Sequence, residues 1–113
     1  MSDESTNLHL PYILANQAQK HITHNEAIRL LDAIVQLSVI SRVLSAPPGS
    51  PADGSRYIVA AGGTGAWAGW DGDVAYYVDG AWIRLTPRPG WQAYDQNADQ
   101  LLLRKGSAWV VIA

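Results

Sequence analysis

The chain of 113 residues contains no cysteine and no phenylalanine, and only 16% of its residues are charged. Without cysteine it has no disulfide bonds and no thiolate metal sites, so packing must hold the fold together. No apolar run approaches the ~20 residues that a membrane-spanning helix needs, so we expect no membrane insertion. The start of the chain is acidic and polar, which does not fit a secretory signal peptide. A chain of this length predicts one compact domain.

Positive charge is also scarce and scattered. The formal net charge is −2, and Arg104-Lys105 is the only adjacent pair among eight basic residues, so nucleic acid is not expected as a partner. Hydrophobic residues nevertheless make up 48% of the chain. So many apolar residues with so few charges favour a homo-oligomer, in which another subunit covers part of the surface. The aromatic residues are five Trp and five Tyr, rings with a polar tip that suit interfaces and sugar-binding surfaces.

Composition divides the chain into four segments within one compact domain. They are an N-terminal extended segment (1–16), a helical oligomerisation segment (17–45), a Pro/Gly linker (46–55) and an antiparallel β region (56–113). The prolines and glycines of the linker cannot continue a helix. We therefore predict an α+β fold in which an N-terminal amphipathic helix precedes an antiparallel β-hairpin meander. The favoured oligomer is a homotrimer.

The helical segment is apolar over more of its surface than one packing partner requires. Thr23 and Glu26 form a possible capping box that would start the helix, although a start near Asn16 is the alternative. A surface helix needs an apolar stripe of only about 100°, so the excess predicts a second partner. The candidate oligomer interface, with the 3-4-3 spacing of a coiled-coil seam, is Ala27, Leu30, Ile34 and Leu37. We also expect burial in helix packing for Ala27, Ile28, Leu31, Ile34, Val35 and Leu37. The alternative is a helix buried on all sides within one chain.

Two-residue turns punctuate the β region. Asp71-Gly72 and Asp79-Gly80 favour type I′ hairpins, and Lys105-Gly106 is a third turn signal. These turns place Tyr77 opposite Trp82 and Trp67 opposite Tyr76, and alternation then sorts the side chains by face. The first face, expected to be core, collects Trp67, Val74, Tyr76, Val78, Ile83 and Leu85. The second face collects Trp70, Asp73, Ala75, Tyr77, Trp82 and Arg84.

The second face is the best candidate for a ligand site. Its functional residues are Trp70, Asp73, Tyr77, Trp82 and Arg84. Aromatic planes can lie against the C–H faces of a sugar ring while charged groups at the rim bind its hydroxyls. The same residue types are enriched in subunit interfaces, so an interface and a plain surface remain open alternatives.

Metal binding is not expected. His21 and His24 share one helical face, but no carboxylate or cysteine completes a ligand set; helix capping or intersubunit hydrogen bonds are the alternatives. The run from Asp95 to Asp99 imitates the start of a calcium loop, yet Gln100 stands where glycine is required. Ordinary turn chemistry in a four-residue hairpin loop, 96–99, explains the same residues.

Catalysis is not expected either, and no cofactor is predicted. Asp71, Asp73 and Asp79 suggest the paired carboxylates of a glycosidase, but Asp71 and Asp79 serve as turn residues and the β region contains no Glu. The glycines at 62–65 precede strand residues and not the helix that a phosphate-binding loop requires. No nucleophile elbow is present.

One run of residues carries a resemblance to a known family. It is Pro11-Tyr12-Ile13-Leu14-Ala15-Asn16-Gln17-Ala18-Gln19-Lys20-His21-Ile22-Thr23-His24-Asn25-Glu26-Ala27, followed by Leu31-Asp32 and by looser Gly-Trp patterns such as Thr64-Gly65-Ala66-Trp67 and Asp79-Gly80-Ala81-Trp82. From Leu8 onward the chain resembles an uncharacterised domain family of bacterial phage tail or fibre proteins and gene transfer agents.

The resemblance implies a virion component, a tail fibre or head-spike module that supports attachment to the host cell. Other virion proteins are then expected partners, and a bacterial surface polysaccharide is a possible one. Assembly would take place in the bacterial cytoplasm, without a signal peptide. A carbohydrate-binding adsorption module is the alternative function. The resemblance implies no catalytic residues.

Overall fold

The computed structural model describes residues 3–13 and 20–113. The chain forms two compact units, Met1–Val35 and Gln36–Ala113. The first contains the helix α1, Lys20–Ile34. The second contains the strands β1 (Ser38–Val39), β2 (Arg56–Ile58), β3 (Val74–Val78), β4 (Ala81–Leu85), β5 (Gln92–Asp95), β6 (Gln100–Lys105) and β7 (Ala108–Val111).

In the first unit the N-terminal segment turns back on itself beside α1. The Tyr12 amide donates to the Asp3 carbonyl (3.0 Å), and the Ser5 amide donates to the Leu10 carbonyl (2.9 Å). The buried Asn25 of α1 continues this pattern, since its side-chain amide bonds both the N–H and the C=O of Ile13 at 2.8 and 3.0 Å. Polar side chains of the helix thus replace the backbone partners that this segment would otherwise lack.

The limits of α1 differ from those predicted. Thr23 lies inside the helix and not at its start, so the capping-box prediction was wrong. The alternative start near Asn16 lies outside the described residues. The helix ends at Ile34 and not near residue 45, because Gln36 adopts a left-handed conformation (φ 55°) and Ser38 begins a strand. Leu37, predicted to lie on the helical seam, is therefore outside the helix and is 5% exposed. The apolar periodicity continued because a buried strand follows the helix directly.

The second unit contains two sheets, which confirms the α+β class. One has the order β1-β5-β6-β7 and the other β2-β3-β4. The pairings are antiparallel except for that between β1 and β5. Within residues 3–13 and 20–113, no helix has the length and apolar character to cross a membrane.

Several turns follow the predicted local chemistry. The register of β3 and β4 is as predicted, with Tyr77 opposite Trp82. Asp79 and Gly80 have φ of 54° and 80°, as a type I′ turn requires. Residues 96–99 form the predicted four-residue loop between β5 and β6. The last hairpin turns one residue later than predicted, at Gly106-Ser107, because Lys105 pairs with Ala108.

The predicted Asp71-Gly72 hairpin was wrong. On the side away from β4, β3 pairs with β2, with Tyr57 opposite Ala75. Gly65–Trp67 forms a short 3-10 helix in place of the predicted strand. Residues 59–73 are a loop whose ends are joined by the Val59 amide bonded to the Asp73 carbonyl at 3.0 Å. Trp67 was consequently assigned to the wrong face of the sheet; the fully buried ring packs with Tyr57 and Ala75.

Candidate functional site

An aromatic cluster occupies the sheet face predicted as a ligand site. We use this name for Tyr57, Trp67, Trp70, Tyr77 and Trp82. Trp82 is its centre: its ring centroid lies 5.0 Å from that of Tyr77, 5.1 Å from Trp67 and 6.0 Å from Tyr57, all edge-to-face. Such geometry stabilises aromatic pairs beyond their buried area. Tyr77, Trp82 and Trp70 remain half-buried, so part of the cluster faces outward.

The charged rim of the cluster is an ion pair. The Arg84 Nε donates to the Asp73 Oδ2 at 2.6 Å, and the Arg84 Nη2 donates to the Gly69 carbonyl at 3.1 Å. Asp73 is buried, whereas nearly half of the Arg84 side chain is exposed. The structure therefore brings all five predicted residues to one face, but it pairs the two charges with each other. A ligand at this site would contact Arg84 and the outward aromatic edges, not a free Asp73 carboxylate.

Sequence reasoning missed Tyr57 and Trp67 as members of the cluster. Tyr57 lies on a three-residue strand, too short to show alternation. Trp67 reaches the cluster from the 59–73 loop, through pairing of β2 with β3 that no local signal encodes. Its indole Nε1 is buried with no hydrogen-bond partner in the described part of the chain.

Two polar side chains of α1, those of Asn25 and Asp32, are buried. Asp32 is 0% exposed. Its carboxylate accepts hydrogen bonds from the Ser5 hydroxyl (2.5 Å), from the Asn7 amide and side chain (both 2.9 Å) and from the Leu8 amide (2.5 Å). A buried carboxylate is tolerated only when its oxygens are satisfied in this way. Asp32 therefore holds the N-terminal segment in its fold.

The same contacts set the ionisation of Asp32. Burial raises the pKa of the Asp32 carboxyl, but the hydrogen bonds from Ser5, Asn7 and Leu8 lower it more, and the net pKa lies below its usual 3.8. The hydrogen bonds favour the charged form because an ionised carboxylate accepts them best.

The large apolar side chains of α1 are exposed or half-buried, whereas Ala33 is buried. Ala27 is exposed, Leu30 and Leu31 are 43% and 45% exposed, and Ile34 is half-buried. Val35, just beyond the helix, is also exposed, and Ile28 is half-buried. Three of the four predicted interface residues thus lie on an accessible helical surface of a single chain, whereas Leu37 does not.

No site for a metal ion is evident among the residues that the structure describes, where no three His, Asp or Glu side chains converge. His24 is exposed, and the His21 side chain lies outside the described residues. Asp95 performs the predicted turn chemistry, since its Oδ1 accepts the Asn97 amide at 3.0 Å. Its Oδ2 lies 3.3 Å from the Arg42 Nε.

Asp71 binds the backbone of the 59–73 loop. Its two carboxylate oxygens accept the amides of Gly62 and Gly63, each at 2.9 Å. The Gly62 and Gly63 amides hold the pKa of the Asp71 carboxyl below 3.8. The side chain crosses the 59–73 loop, which is why it does not form the predicted hairpin turn.

Comparison with known proteins identifies a family. No curated protein matches the chain. The profile of DUF2793, described as a protein of unknown function, matches residues 24–110. The match includes most of α1, the strands β1 to β6 and most of β7. The chain therefore belongs to the DUF2793 family.

Proposed function

We propose that the chain is a structural module of a phage or gene transfer agent particle, in a tail fibre or head spike, that self-associates through α1 and supports attachment to the host cell. The observation that carries this proposal is that α1 exposes large apolar side chains while it buries two polar ones. A surface helix normally turns its apolar stripe inward. Here Asn25 and Asp32 are buried while Leu30 and Leu31 are exposed.

The exposed side of α1 has the form of a helical seam. Ala27, Leu30 and Ile34 lie within about 60° of one another on a helical wheel, at 100° per residue. Contiguous exposed apolar residues mark interaction sites because their burial is favourable. A narrow seam of this kind packs against an identical helix by interdigitation. We propose a trimer, with the same face of α1 from each subunit at the axis.

The placement in a particle is supported by the motif that spans residues 16–27, which resembles the start of phage tail and gene transfer agent domains. Residues 24–27 of this motif lie inside the DUF2793 match. The low content of charged residues and the exposed apolar side chains of α1 are also typical of a protein that is buried in an assembly.

Light scattering during gel filtration tests self-association. The full chain is expected to have three times the monomer mass, and Leu30→Glu is expected to give a monomer because three buried charges would meet at the axis. Val43→Glu is the matched control, since Val43 is 67% exposed and lies outside α1. A stable wild-type monomer at micromolar concentration overturns the trimer.

Fractionation tests the particle assignment. An epitope-tagged chain, expressed in its producing bacterium, is expected to sediment with intact DNA-containing particles on a density gradient. The Leu30→Glu chain is expected in the soluble fraction, and Val43→Glu in the particles. A wild-type chain that never co-sediments with particles contradicts the assignment.

Carbohydrate binding through the aromatic cluster is the second candidate function. It is favoured by the partial exposure of Tyr77 and Trp82 beside Arg84. Binding of the full chain to a panel of bacterial surface polysaccharides is expected to fall at least about tenfold in Trp82→Ala. Binding that survives this change in a folded variant, or no binding across the panel, excludes the candidate.

A further inference from the structure

A cavity lies in the second unit, apart from the aromatic cluster and from α1. It has a volume of about 340 Å³ and is lined by the β6–β7 hairpin, by the end of β2 and by the turn at Asp71 and Gly72. This volume falls at the lower end of the ~300–1,000 Å³ of small-molecule sites. The space therefore suits a single ring with its substituents.

Two side chains hold the walls in place. The Trp109 Nε1 and the Arg104 Nη1 both donate to the Gly72 carbonyl, at 2.9 and 3.0 Å. The Arg104 guanidinium carbon also lies 5.6 Å from the Trp109 ring centroid, in a cation–π contact. A Cβ on Gly72 would approach the Arg104 Nη1 to 3.3 Å, and its φ of 78° favours glycine. These contacts join the two sheets and preform the site.

Within residues 3–13 and 20–113, no carboxylate forms an ion pair with Arg104. Its bonds go to neutral carbonyls, those of Gly72 and, at 3.3 Å, Gly106. None of the ion pairs among the described residues includes Arg104. Two of its five N–H donors are thus used, and the others can bind an anion such as a carboxylate.

A second arginine, Arg42, also lines the cavity, but it is already paired with Asp95, whose Oδ2 lies 3.3 Å from the Arg42 Nε. The other lining residues define the rest of the ligand. Asp71 uses its oxygens for two amides, and a carboxylate can accept about four hydrogen bonds, so acceptor capacity for hydroxyl groups remains. Ile58 and Trp109 supply apolar surface. A purely apolar ligand would desolvate Arg104 and Asp71 without replacing water. Asp71 repels any anion, and it repels a dianionic phosphate about twice as strongly as a monoanionic carboxylate.

From this combination we infer that the cavity binds a carboxylated sugar ring, with the carboxylate on Arg104, hydroxyl groups on Asp71 and the C–H face of the ring against Trp109. The inference goes beyond the proposed function and does not depend on self-association, because every lining residue belongs to the second unit.

Nuclear magnetic resonance titration of the ¹⁵N-labelled full chain with glucuronate tests the inference. Saturable shifts are expected at the Trp109 indole and the Arg104 Nε signals, with glucose, the neutral counterpart, binding at least about tenfold more weakly. Arg104→Gln is expected to weaken glucuronate binding by about tenfold. Arg88→Gln, which removes an exposed arginine outside the cavity lining, is expected to bind as wild type.

Three results would overturn the site: no saturable shift with glucuronate, equal affinity for glucose, or shifts confined to the Trp82 indole. If Arg104→Gln does not fold, the comparison of glucuronate with glucose on the wild-type chain still tests the site, since the indole signals locate the ligand.

Titration with a uronate-containing polysaccharide and with neutral dextran shows whether the natural ligand is a polysaccharide or a free sugar. Tighter binding of the charged polymer than of glucuronate assigns the site to a polysaccharide, and equal binding per ring assigns it to the free sugar.

Discussion

Asp32 is the residue on which the order of the N-terminal segment depends. The side chain has no exposed surface and accepts hydrogen bonds from Ser5, Asn7 and Leu8. Asp32→Asn keeps the shape but turns one acceptor group into a donor that faces other donors. We expect a loss of about 3 kcal/mol in the stability of this contact, since hydrogen bonds to charged groups contribute ~1.5–3 kcal/mol each and do not add fully. Faster amide hydrogen exchange at Asn7 and Leu8 would measure it, with Glu26→Gln, an exposed residue of α1, as the control.

The pH dependence of the same contact has a defined sign. The pKa of Asp32 is lower in the folded chain than its usual 3.8, so the carboxylate stabilises the fold above that value and loses its effect as the pH falls through the folded-state pKa. The difference in exchange between wild type and Asp32→Asn is therefore expected to be full at neutral pH and to shrink below 3.8. A difference that stays constant across this range would show that the charge is not what holds the segment.

At the scale of elements, the 59–73 loop depends on a close approach at Gly63. A Cβ there would collide with the Trp67 carbonyl oxygen and would lie 3.2 Å from a methyl group of Val59. Gly63→Ala is therefore expected to destabilise the second unit by about 1–3 kcal/mol, as overpacking does. Gly49→Ala is the control, because nothing lies within 4 Å of its added Cβ. Equal urea midpoints for the two variants would contradict the close packing of this loop.

Local chemistry predicted some elements well and others poorly. The β3–β4 register could be predicted because Asp79-Gly80 specifies a two-residue turn by itself. The Asp71-Gly72 dipeptide carries the same signal, but there the Asp71 carboxylate binds the amides of Gly62 and Gly63. The outcome at Asp71 is decided by residues from the far end of the loop. The pairing of Tyr77 with Trp82 was therefore predictable, whereas the arrival of Tyr57 and Trp67 at the same site was not.

The helix shows a related limit. Its wide apolar surface predicted two partners, but periodicity could not tell which side would be buried within the chain. The N-terminal segment determines which side is buried. Its backbone amides and the Ser5 hydroxyl form hydrogen bonds with the side chains of Asn25 and Asp32. Buried polar groups must be satisfied, so Asn25 and Asp32 of α1 turn inward, and Leu30 and Leu31 are left accessible.

At the scale of the whole molecule, a surplus of apolar residues over charges has a thermodynamic consequence if α1 is a subunit contact. Association that favours the folded state makes the unfolding temperature depend on protein concentration. We expect the midpoint of the wild-type chain to rise with each tenfold increase in concentration, because a trimer releases three chains on unfolding. The midpoint of Leu30→Glu is expected to stay constant, and that of Val43→Glu to follow the wild type.

The unfolding temperature of Leu30→Glu at one low concentration shows whether Leu30 acts in association or in packing within one chain. If its exposed surface matters only for association, Leu30→Glu and the wild type should unfold at the same temperature once dilution has separated the subunits. A variant that is less stable even there would mean that Leu30 contributes to packing within one chain, as in a helix buried on all sides. The 43% exposure of the side chain favours the first result, because a residue that remains accessible loses little intrachain packing when it is replaced.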